Sequence, residues 1–377
     1  MPQPNMPQPT AQNPALAKTR IEALMSASTA WWQTTIFYQI DPHSFQERNQ
    51  DGTSALAGIS QWLDHIAGLH VGAIGLLPLS PPRLHGSGQS TVDASHQRVG
   101  SLEAFDLLLA GAHARGIKLL LDLSSSDGEL PPPGLSDRIG SLHFWLVRGV
   151  DGFRLNLHEW LVKDSLPQAT APFGGQDGVG PQTGWAPHTE LSAGGQLRTL
   201  PAHFQWIDAP WQASTVRAQV DRYCASQPPD SWPHWALRSH PQEPVRVGAG
   251  QERVAAMLLL TLPGTPLCCC GDEQGAGSSF FRALAALRQP SPPLTLGTYH
   301  SLDAGPENIY AYQRQHGDER ILVVLNFADT THRLNLSAAA TEADILLSSG
   351  MQSTGKVRLR GLYIVGHEGL ILRLRNR

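Results

Sequence analysis

Gly149-Val-Asp-Gly-Phe-Arg-Leu-Asn156 reads as a short buried strand that closes on polar residues. Asn156 limits the chemistry available there. An amide is neutral at any ordinary pH, so it cannot attack an electrophilic carbon as a carboxylate does. The next residues, His158-Glu159, do not begin an H-E-x-x-H zinc site, because the fifth residue is Val162. Four cysteines, Cys224 and Cys268-Cys269-Cys270, have no second Cys/His cluster at zinc spacing. They read as small apolar fillers of a buried strand. No metal and no cofactor is expected. Free thiols suit a reducing compartment, so a cytoplasmic protein is expected.

Buried strands and amphipathic helices must hold these residues, and they alternate along the chain. Ile36–Asp41, Ala73–Leu79 and Ile117–Leu123 are apolar strand runs. Leu56, Ile59, Leu63 and Ile66 predict a helix over 54–69. Leu102, Phe105, Leu108 and Leu109 predict a second, closed at Arg115-Gly116 by a glycine cap. Leu135, Ile139, Leu142 and Leu146 predict a third. Residues 165–199 have loop composition and no apolar strand run. The pattern resumes with strands at Leu200–Trp206 and Trp232–His240, and with helices at Trp211–Tyr223, Val254–Leu262 and Phe280–Arg288. Such alternation predicts a parallel sheet with helical crossovers. From about Pro290 only short strands follow, Ile309–Tyr312 and Ile321–Phe327 first among them, which predicts a small antiparallel sandwich. The expected division is a disordered tail over 1–25, a barrel over 26–290 and a sandwich over 291–377.

Several ordered motifs carry a family resemblance. Trp31-Trp32 with Tyr38-Gln-Ile and Pro42-His-Ser-Phe45 is similar to an opening W-W-x-x-x-x-Y-Q-I-x-P-x-S-F. Gly149–Asn156 is similar to G-V-D-G-F-R-L-D, Trp232–His240 to W-P-N-W-V-L-G-N-H-D, and Gly264–Glu273 to G-T-P-x-x-x-x-G-D-E. Together, across residues 31–377, they resemble the α-amylase family, glycoside hydrolase family 13. The resemblance implies an α/β fold: a TIM-type (β/α)8 barrel, here shortened and irregular around its fifth unit, plus a C-terminal antiparallel β-sandwich. The family's excursion after the third strand is reduced to Gly128–Gly134.

Retaining glycosidases need two carboxylates facing each other across the scissile bond, and barrel enzymes place them at the C-terminal ends of strands. The resemblance sets Asn156 at the nucleophile position and Pro241 at that of the third carboxylate. No general acid is assured. Glu190, the one Glu in the weak segment, and Glu243 are either a relocated acid and base or solvated loop carboxylates. Asp93, Asp122, Arg154 and His240 match substrate-binding positions. Asp93 and Asp122 either line a pocket or cap loops. Arg154 either contacts sugar or donates to strand-end carbonyls or Asp122. His240 either bonds sugar or satisfies the core. Asp272 and Glu273 are expected to hold the loop after the eighth strand. Trp160, Trp185 and Trp211 could stack on a pyranose face.

Composition narrows the partners. The formal charge is −4 from 28 Lys and Arg against 32 Asp and Glu, so neither a nucleic acid nor an anionic membrane is expected. No apolar run approaches a membrane span. The N-terminus, rich in Pro and Gln, lacks the parts of a secretory signal. The expectation is a family relative without hydrolysis that binds an α-glucan, a malto-oligosaccharide or a protein partner. The alternatives are a working α-glycosidase with relocated carboxylates and an interaction protein indifferent to sugar.

Overall fold

The computed structural model describes residues 31–42, 54–77, 100–122, 144–145, 147–156, 183–187, 204–207, 210–226, 232–238, 245, 247–248, 250–351 and 354–375. The expected tail over 1–25, the loop carrying Asp93 and most of the helix predicted over 135–146 lie outside them.

Eight strands form the first sheet: β1 (Phe37–Ile40), β2 (Ala73–Leu76), β3 (Lys118–Asp122), β4 (Gly152–Asn156), β5 (Thr183–Pro187), β6 (Phe204–Trp206), β7 (His234–Ala236) and β8 (Thr265–Cys269). Their order, β5-β4-β3-β2-β1-β8-β7-β6, is that of a (β/α)8 barrel. Helices α2 (Ala55–Gly68), α3 (Leu102–Ala114), α4 (Ala213–Ser226) and α5 (Glu252–Thr261) make the crossovers. The short α1 (Trp31–Thr34) precedes β1, and α6 (Asp272–Ala276) and α7 (Ser278–Arg288) follow β8.

Strand alternation sorts the core into two layers. Tyr38, Ile40, Ile74, Leu119 and Cys268 face outward and pack with Leu56, Ile59 and Leu63 of α2. Phe37, Ala73, Leu120, Ala236 and Leu267 form the inner layer, with Trp32 among them. The motif residues Gly264-Thr265 act at this N-terminal end. Thr265 Oγ1 accepts from Trp232 Nε1 at 2.9 Å and donates to the Trp32 carbonyl at 2.9 Å. Gly264 has φ +91°, and a Cβ there would sit 2.0 Å from the Pro233 carbonyl oxygen. Only glycine fits.

The fifth unit differs from its sequence reading. Residues 165–199 show no apolar strand run, yet β5 lies within them and pairs antiparallel with β4, Arg154 opposite Trp185 and Asn156 opposite Thr183. Thr-Gly-Trp-Ala-Pro has neither the β-branched density nor the alternation of a buried strand. Backbone hydrogen bonds to β4 supply the pairing without them, and Pro187 falls at the end of the strand, where a missing N–H is tolerated. Among the described residues no pairing joins β5 to β6.

The C-terminal sandwich holds β9 (Thr298–Leu302), β10 (Ile309–His316), β11 (Glu319–Asn326), β12 (His332–Asn335), β13 (Glu342–Ser348), β14 (Gly355–Arg358), β15 (Arg360–Ile364) and β16 (Gly369–Leu374). Six make an antiparallel sheet, β14-β13-β16-β11-β10-β9, and β12 with β15 makes a second layer. Leu322, Val324, Leu362, Ile364 and Leu372 fill the space between them. The large sheet's other face docks on the barrel through Tyr310, Tyr312, Ile321 and Val323. Fully buried Arg314 fastens that contact, donating to the carbonyls of Thr261 at 2.6 Å and Gly297 at 2.9 Å. No described helix is long and apolar enough to cross a membrane.

Candidate functional site

The mouth of the barrel lies at the C-terminal ends of its strands. Asp41 follows β1 and Asp122 ends β3, and both are buried. Asp122 pairs in register with Arg154, and Asn156 ends β4 two residues on. The structure therefore brings Asp122, Arg154 and Asn156 to one sector of the mouth. Asp93, Glu190, His240, Pro241 and Glu243 lie outside the described residues, as does Trp160. Trp211 is not at the mouth. It packs against Phe327 with ring centroids 4.8 Å apart, at the seam with the sandwich.

The opposite sector holds a buried ion pair. Arg238 follows β7 and is two residues beyond Ala236 of the inner layer, so alternation turns it toward the barrel interior. Its Nη2 lies 2.7 Å from Asp272 Oδ1, an ion contact whose angles fall outside hydrogen-bond geometry, and it donates to the Cys270 carbonyl at 3.2 Å. Asp272 Oδ2 accepts from the Cys269 N–H at 2.7 Å. Burial pushes the Asp272 carboxyl up to about 6, against the pull of the Arg238 charge.

Glu273 turns the other way, into the layer between sheet and helices. Its Oε2 accepts from Tyr38 Oη at 3.0 Å and from the Gly271 N–H at 3.0 Å, while Oε1 lies 3.8 Å from His65 Nε2. Burial first, then the neighbouring Cys270 and Glu273 charges, raise the Tyr38 phenol well above its ordinary value. The thiols of Cys268 and Cys269 are also raised, chiefly by burial. A protonated, buried thiol is not a nucleophile.

Both carboxylates of the loop after β8 thus serve its backbone, as expected of Asp272 and Glu273. The sequence reading passed over Arg238. The signal was present: Arg238 stands where the similar motif W-P-N-W-V-L-G-N-H-D has Gly. Tyr38 was read only as part of the opening motif, and its hydroxyl emerges here as a donor to Glu273.

A model of the α-amylase catalytic domain matches residues 39–125, and one of the maltogenic amylase C-terminal domain matches residues 299–354. These matches support the resemblance to glycoside hydrolase family 13. The probable α-glucosidase of Rhizobium meliloti (strain 1021) is 37% identical over 153 residues, which are 40% of this chain and 26% of that protein. The amino acid transporter heavy chain SLC3A2 of Oryctolagus cuniculus is 27% identical over 419 residues, covering 91% of this chain and 77% of the relative. The trehalulose synthase MutB from Pseudomonas mesoacidophila MX-45 superimposes with a TM-score of 0.67 at 16% identity, covering 93% of this chain and all of that one, and so shares the fold.

Proposed function

We propose that this chain does not hydrolyse glycosides and works by binding a partner protein. One observation carries the reading: a guanidinium–carboxylate pair, Arg238 with Asp272 at 2.7 Å, occupies the side of the mouth where the similar motif has glycine. A buried ion pair is costly to open. The sequence positions agree. Asn156 offers no attacking oxygen and Pro241 offers no carboxylate, and loss of a nucleophile alone costs several orders of magnitude in rate. Asp272, the described carboxyl with its affinity for protons raised toward neutrality, is engaged by Arg238 and the Cys269 N–H rather than open to a glycosidic oxygen.

The partner-binding half of the proposal is supported by the match to SLC3A2. It runs over 91% of this chain, and that relative is named as the heavy chain of an amino acid transporter. The matched part of the α-glucosidase from Rhizobium meliloti covers only 40% of this chain. An α-glucan or malto-oligosaccharide is the small ligand to test beside the protein partner, since several relatives are named as α-glucosidases.

Incubation with maltose, isomaltose and an aryl α-glucoside tests the first half, with no turnover expected. Turnover that Glu190→Gln or Glu243→Gln abolishes would establish a working glycosidase with relocated carboxylates. Titration calorimetry against malto-oligosaccharides tests the sugar ligand, and absence of heat removes it.

A further inference from the structure

The large sheet of the sandwich is wider than its seat on the barrel. Ile321 of β11 packs on the barrel. In register beside it come Arg373 of β16, Asp344 of β13 and Lys356 of β14, all on the same face. A second row sets Glu342 opposite Arg358. That face therefore passes from apolar to charged where it leaves the barrel, and the overhang is open to solvent.

Four cations, Lys356, Arg358, Arg373 and Arg375, lie on that face with three carboxylates, Asp344, Glu342 and, two residues before Ile321 on β11, Glu319. Arg375 grips Asp344 at 2.7 and 3.0 Å, and Arg358 stands 4.0 Å from Glu342. Among the described residues no carboxylate lies within 4.0 Å of Lys356 or Arg373. Exposed Arg360 opens β15 directly beyond β14. The chain as a whole carries −4, so this local excess is set against the sign of the whole.

β14 is the end strand of its sheet, and its outer edge meets no further strand among the described residues. Such an edge offers unpaired backbone donors and acceptors. Cations along it disfavour neutral or basic strands and favour an acidic one. We propose that β14 and the cationic row beside it dock an extended, acidic segment of a partner protein, which adds to the sheet as a further strand. This rests on the partner-binding reading and names the surface and the chemistry. Side chains of an added strand alternate between faces. Its carboxylates would meet Lys356 and Arg358, and its apolar residues would lie on the side of Val357, which packs toward the sandwich core.

An octapeptide of alternating Glu and Val, labelled for fluorescence anisotropy, is the probe, used with the full chain at low salt. Saturable binding is expected. It should weaken about tenfold or more in 0.5 M salt, where screening lengths fall to a few Å. It should weaken similarly in the double variant Lys356→Glu with Arg358→Glu, and for a peptide N-methylated on alternate amides. If the double variant loses its wild-type melting transition, Lys356→Gln with Arg358→Gln replaces it. No binding overturns the proposal. So does equal binding of the N-methylated peptide, which would make the contact charge alone, or recruitment to phosphatidylserine vesicles in place of the peptide. Turnover on glycosides reads the catalytic question separately, so loss of the strand edge leaves the non-hydrolytic reading intact.

Discussion

The loop after β8 keeps the motif it resembles, and the ends of β4 and β7 depart from theirs. After β8, Gly271-Asp272-Glu273 matches its motif residue for residue, and the carboxylates hold the backbone N–H groups of Cys269 and Gly271. At β4 the motif matches up to its last residue and then departs, with Asn156 for a carboxylate. After β7, Arg238 replaces a glycine and Pro241 an aspartate. The two carboxylates that brace this loop are kept, while the motif positions of two other carboxylates hold Asn156 and Pro241. Folding and catalysis draw on separable sets of side chains, so a barrel can lose the second set without losing its shape.

Four experiments press on that contrast. The largest effect is expected at the structural end of the β8 motif. Gly264→Ala combines a left-handed φ with a Cβ 2.0 Å from a backbone oxygen. It should cost on the order of 4 kcal/mol, read by denaturant melts; a loss below about 1 kcal/mol would show that the close approach relaxes freely.

Arg238→Leu comes next. It leaves the buried Asp272 carboxylate without its cation, with an expected loss of about 3 kcal/mol. A neutral result would mean the pair does not brace the mouth.

The pH dependence is smaller and has a definite sign. Asp272 is a weaker acid in the fold, at about 6 against an ordinary 3.8, so the folded state favours its protonated form. Its contribution is greatest below pH 4 and is lost as pH rises through 6. The stability of the wild-type protein relative to Asp272→Asn should therefore fall by about 2 kcal/mol between pH 4 and pH 7. A flat difference would place the carboxyl in water.

The smallest effect belongs to the catalytic side. Asn156→Asp restores one carboxylate of a set that still lacks the one replaced by Pro241. It should produce no turnover of an aryl α-glucoside, and measurable hydrolysis would mean a general acid is already in place.

Much of the barrel is legible in the sequence. Leu56, Ile59, Leu63 and Ile66 predicted the helix found at Ala55–Gly68, and the Arg115-Gly116 cap was found with Gly116 at φ +70°. These are local signals, set by periodicity and backbone sterics. β5 was not legible, because its pairing uses only main-chain groups that every residue carries. The roles of Arg238 and Tyr38 were hidden for a related reason. Each is defined by a partner far along the chain, Tyr38 by Glu273, 235 positions away.

By itself the sequence determined the alternation of strands and helices outside the fifth unit and the neutrality of Asn156, since these depend on residue type and short-range spacing. Only the tertiary structure decided that Asp272 is engaged by Arg238, that a reversed strand stands beside β4, and that four cations share a face ending at a sheet edge no described strand covers. Charge pairing and edge exposure are properties of neighbours in space, and the chain brings those neighbours together only when it folds.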